Sequence, residues 1–196
     1  MIRVVLVEPA ELEVAALLRS VGTDLEACTS VGARVGAEAG EAVLVRLRGF
    51  GELPIGAAVV TPGGRLPAPL LIHVVVRSSI DPISEARVER AFRSGLRQAT
   101  EWGVESLGVP PLGVGAGNLD AEVSARVMCA VLRDHLERNP LPREVVVAVA
   151  SCYEEDVFTR EVSRVFPDKV ARHADRARGS GGESEPRGGE RGRGEP

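Results

Sequence analysis

Apolar positions recur along the chain in two alternating patterns, short β-branched runs and stripes spaced three or four residues apart. Ile2 to Val7, Ile55 to Thr61, Leu70 to Val76, Ser106 to Val109 and Glu144 to Ala150 read as strands. Two of these, Leu70 to Val76 and Val145 to Val149, are apolar almost without interruption. Such strands are covered on both faces, so helices must lie on both sides of the sheet. Val88, Phe92, Leu96, Ala99 and Trp102 form a helical stripe behind Ser84, a candidate N-cap, and Gly103 ends it; Trp102 is expected in the core. Val123, Val127, Val131 and Leu136 mark a second helix ending near Asn139-Pro140, and Glu155 to Val165 a third. Residues 11–48 read as helical, broken by Gly22 and by Cys28 to Gly32. Thr61-Pro62-Gly63-Gly64-Arg65-Leu66-Pro67 is turn chemistry joining two strands. No internal repeat is present, and the alternation of strand and helix predicts an α/β fold.

After about Phe166 the periodicity stops, and from Arg178 the chain lacks large apolar residues. Residues 1–171 are therefore expected to form one domain and residues 172–196 a disordered Gly/Arg/Glu-rich tail. The tail holds six Arg against five acids, which leaves 18 basic and 23 acidic residues in the rest of a chain of net charge −4. An acidic folded part does not attract a nucleic-acid backbone over a broad face, and the glutamates among the tail's Arg-Gly pieces argue against an RNA arm. No apolar run approaches the roughly 18 residues of a membrane span and no signal-peptide pattern is seen, so a cytoplasmic protein without membrane partners is expected. Cys28, Cys129 and Cys152 share no close spacing, which points to reduced thiols and to neither a disulfide framework nor a metal site.

Candidate chemistry gathers in Ser106 to Asn118, where a short strand runs through Gly113-Val114-Gly115-Ala116-Gly117-Asn118 toward a helix. Glycines let backbone N–H groups approach an anion, and a helix N-terminus adds unpaired donors and partial positive charge. The spacing is neither a Walker loop nor the dinucleotide fingerprint. Asp120 and Glu122 suit the following helix dipole but compete with a bound phosphate.

The segment Leu53 to Val75 resembles the macro domain family, with Gly56-Ala57-Ala58, Thr61-Pro62-Gly63, Leu66-Pro67-Ala68 and Ile72-His73-Val74-Val75 in the family's order. Gly103 to Asn118 is similar to the family's second phosphate-binding loop with its strand, and Val145 to Phe158 to its last strand and helix. The resemblance implies a three-layer α/β/α sandwich with a mixed central sheet and a site for ADP-ribose or a related nucleotide, free or on an ADP-ribosylated protein. It implies diphosphate binding by Gly113, Val114, Gly115, Ala116, Gly117 and Asn118, with Tyr153 against the adenine, and no cofactor or metal. Two family features are replaced. Glu8-Pro9-Ala10-Glu11 stands where an Asn-Ala-Ala-Asn motif is expected after an early strand, making Glu11 a candidate ribose contact. Ala27 to Gly32 stands where a triple-glycine loop is expected, and the Gly-Asp-Ile-Thr segment that precedes the asparagines in the family is not found ahead of Glu8.

Three readings follow. The first is an ADP-ribose binder with little or no hydrolysis, the second an ADP-ribosyl hydrolase using Glu8, Glu11 or Asp24, and the third a degenerate scaffold that binds protein or RNA. His73 is expected to be a core histidine bonded to backbone, and His135 to sit on a solvated helix face.

Overall fold

The computed structural model describes residues 1–115 and 118–168. The expected tail and the expected loop residues Ala116 and Gly117 lie outside the described residues. Six strands form one mixed sheet in the order β1-β6-β5-β2-β4-β3: β1 Ile2–Leu6, β2 Ala16–Gly22, β3 Ala58–Pro62, β4 Leu70–Arg77, β5 Ser106–Val109 and β6 Glu144–Val149. All neighbouring pairs are parallel except β3 with β4. The helices are α1 Ser30–Ala39, α2 Glu41–Arg48, α3 Glu85–Glu101, α4 Ala121–Leu136 and α5 Cys152–Val165, with a 3₁₀ turn at Pro9–Glu11.

Alternation along each strand sorts the side chains between two layers. Ala16 and Leu18 of β2, Ile72 and Val74 of β4, and Val145 and Val147 of β6 pack with Phe92, Leu96, Met128, Leu132 and Phe158 of α3, α4 and α5. The intervening Leu17, Leu71 and Val146 pack with Val35, Ala39 and Val43 of α1 and α2. A three-layer α/β/α sandwich results, as the resemblance implied.

Three expectations are corrected. Residues 11–48 are not helical throughout, because β2 crosses the middle of the sheet there with every residue buried. Val14, Leu17, Leu18 and Val21 are spaced as one helix face, and a strand covered on both sides has no polar alternation to contradict that pattern. Trp102 leaves the core: it caps α3 and is 56% exposed. His135 is half-buried rather than on a solvated face, with Nε2 2.9 Å from the Leu141 carbonyl and 3.2 Å from Thr100 Oγ1.

Candidate functional site

The chain leaves β2 through α1 and α2 toward β3 and β4, and leaves β5 through α4 toward β6. The two connections depart from adjacent strands onto opposite faces of the sheet, which opens a crevice at the strands' carboxyl ends. A cleft of about 380 Å³ occupies that crevice. Its floor is Arg19 and Ser20 of β2 and Ala148 of β6, with Pro110 and Pro111 just after β5 and Ala150 just after β6. One wall is Cys28 to Gly32 at the start of α1, and Val114, Gly115 and Asn118 face it.

The α1 wall is made by its cap. Thr29 has extended backbone angles and its hydroxyl accepts the Gly32 N–H at 3.0 Å, while the Ala33 N–H reaches the Thr29 carbonyl at 2.9 Å. The Ser30 and Val31 N–H groups, in the first turn of α1, have no partner within the helix. Among the described residues α1 is the α-helix without an acid in its first turn, whereas Glu41, Glu85, Glu122 and Glu154 occupy that place in the others. No acid of its own first turn offsets its N-terminal partial charge.

The described residues of the glycine loop divide by role. Gly113 has φ 74° and is buried; a Cβ there would lie 2.9 Å from methyls of Ile83 and Val88. Gly115 has φ 141°, lines the cleft and has open space around it apart from the Asn118 amide at 3.4 Å. The Asn118 N–H closes the turn on the Gly115 carbonyl at 3.0 Å. Sequence reasoning looked to the helix after this loop for extra donors, but α4 carries Glu122 in its first turn and does not line the cleft. The helix end that lines the cleft is that of α1.

The other expected residues fall outside the cleft. Tyr153 is 59% exposed and its hydroxyl donates to Glu122 Oε1 at 2.6 Å, which pushes the phenol up and the carboxylate down. Glu11 is exposed in the 3₁₀ turn, Glu8 is paired with Arg34, and Asp24 accepts the Glu26 N–H at 3.1 Å. The three carboxylates are not brought together on the cleft. Its own carboxylate, Glu154, accepts the Ala150 N–H at 2.8 Å, and burial raises the Cys28 thiol.

Arg19 was not singled out from sequence. It is 2% exposed, and its Nη1 donates to the Gly32 carbonyl at 3.2 Å. In the register of β2 and β4 it stands beside His73, fully buried, whose Nε2 is 2.9 Å from Thr61 Oγ1. His73 is thus a core histidine, bonded to a hydroxyl instead of the backbone. Burial and, less, the Arg19 charge push it down to about 3. A single charge inside an otherwise buried strand was the available signal, and the helical reading of residues 11–48 concealed it.

A family model described as Macro domain matches residues 20–128, more than half of the chain, and the chain belongs to the macro domain family. It is 27% identical over 164 residues to the ADP-ribose glycohydrolase MACROD2 of Xenopus laevis, a match covering 80% of this chain and 38% of that protein. The matches span between 38% and 66% of the length of the first curated relatives. Among solved structures, the macro domain of ganglioside induced differentiation associated protein 2 superposes with TM-score 0.76 at 22% identity, covering 85% of this chain and 84% of that one. The Trypanosoma brucei macrodomain in complex with ADP-ribose gives 0.74 at 20% identity, covering 82% and 68%.

Proposed function

We propose that the domain binds ADP-ribose or a related adenine nucleotide, free or on a modified protein, with little or no hydrolysis. The carrying observation is the cleft at the carboxyl ends of the parallel strands, lined by the α1 N-terminus, which has no acid in its first turn, and by Val114, Gly115 and Asn118. Its volume falls in the range of small-molecule sites, roughly 300–1,000 Å³. Backbone donors at the α1 N-terminus, on the same cleft as the glycine turn, suit the charges of a diphosphate. The T. brucei relative bound to ADP-ribose supports the choice of ligand.

In this reading the order of elements reassigns the family's motifs. Two strands precede the α1 loop, and the second leads into it through the turn from Gly22 to Glu26. Arg19-Ser20-Val21-Gly22 then takes the asparagine place, and Glu8 falls with the earlier segment that was expected to be missing. No asparagine stands at either position, which favours binding over turnover. Calorimetric titration with ADP-ribose, ADP, AMP and NAD tests the reading. Micromolar or tighter binding of ADP-ribose supports it, and absence of binding to all four refutes it.

A further inference from the structure

Arg19 carries a full charge into the layer between the sheet and α1, and the fold makes room for it. A Cβ on Gly36 would stand 2.1 Å from Nη1. Among the described residues the side chain makes one hydrogen bond, to the Gly32 carbonyl, and the buried Nε has no partner. Glu26, the carboxylate acting on it most, is itself paired with Arg48 at 3.6 Å. A guanidinium does not shed its proton in a protein, so the charge persists. A buried charge without a counter-ion is strongly unfavourable, and one hydrogen bond to a carbonyl needs no charge at all. Arg19 is among the residues that line the cleft, and its guanidinium is bonded to the first turn of α1.

We propose that Arg19 is a ligand contact, its guanidinium pairing with a phosphate group received by the α1 N-terminus. The cleft then selects nucleoside diphosphates over uncharged nucleosides by a charged anchor in addition to backbone donors. A planar guanidinium offers two parallel N–H groups to phosphate oxygens, a stronger contact than a neutral amide makes. The inference rests on the cleft being the nucleotide site and assigns its counter-charge.

Arg19→Met, close in size and uncharged, separates this role from a structural one. The expected result is an unchanged or raised melting temperature without ligand, at least a tenfold loss of affinity for ADP-ribose and ADP by calorimetry, and a smaller preference for ADP over adenosine. Inorganic pyrophosphate should compete with ADP-ribose on the wild-type protein and lose that ability on the variant. A folded Arg19→Met that binds ADP-ribose as the wild type does overturns the inference and leaves the nucleotide site standing. Wild-type protein that binds no ADP-ribose removes the underlying reading instead. If Arg19→Met does not fold, Arg19→Gln, which can still donate to the Gly32 carbonyl, replaces it. If that variant also fails to fold, Arg19 is a structural strut and the proposal falls.

Discussion

Replacing Gly115 by Glu should abolish nucleotide binding in a protein that still folds, whereas replacing Gly113 by Ala should lower stability and spare binding. At Gly113 the left-handed φ of 74° costs an L-residue roughly 1–2 kcal/mol. The new Cβ, 2.9 Å from methyls of both Ile83 and Val88, adds about 1–3 kcal/mol of overpacking. At about 2–4 °C per kcal/mol for a protein of this size, the melting temperature should fall by roughly 4–20 °C. At Gly115 the φ of 141° costs on the order of 1–3 kcal/mol, but the space is open and the exposed loop can relax. Its penalty falls on the ligand: a carboxylate about 4 Å from a phosphate, at an effective dielectric near 20, opposes binding by up to about 4 kcal/mol. A tenfold loss of ADP-ribose affinity, about 1.4 kcal/mol, is the least expected. Thermal unfolding and calorimetry on the same two samples read both quantities. A folded Gly115→Glu protein with unchanged affinity would take the loop out of the binding site, and an unshifted Gly113→Ala melting temperature would refute the packing argument.

The depressed His73 pKa makes stability pH-dependent. Below its ordinary 6.5 the unfolded chain binds a proton that the folded protein refuses down to about 3, so stability held above pH 6.5 is lost progressively across that window, with a slope of at most about 1.4 kcal/mol per pH unit. Chemical unfolding between pH 4 and 8 should show this slope in the wild type and a flatter one in His73→Gln; equal slopes would contradict it. Phe158→Ala, at a fully buried position between α5 and the sheet, should cost about 3–5 kcal/mol in the same assay. Hydrolysis of ADP-ribose from a mono-ADP-ribosylated protein should be slow or undetectable, and robust turnover that vanishes in Glu11→Ala would instead support a hydrolase.

Local pattern determined much of this protein. The strands β1, β4, β5 and β6, the helices α3, α4 and α5, and the glycine turn after β5 are each specified by residues within a few positions of one another, so their periods and punctuation are readable without the fold. The strand β2 and the site it supports were decided by tertiary packing. Val14, Leu17, Leu18 and Val21 satisfy a helical spacing, and only pairing with β4 and β5 makes the segment a strand. That pairing sets Arg19 beneath α1, beside His73 and next to a glycine 17 residues further on that yields room for it. The partners of a buried charge come from distant parts of the chain, so no window of sequence contains the reason for it. The same holds for the cleft, which exists because β2 and β5, far apart in sequence, are neighbours whose connections leave on opposite faces.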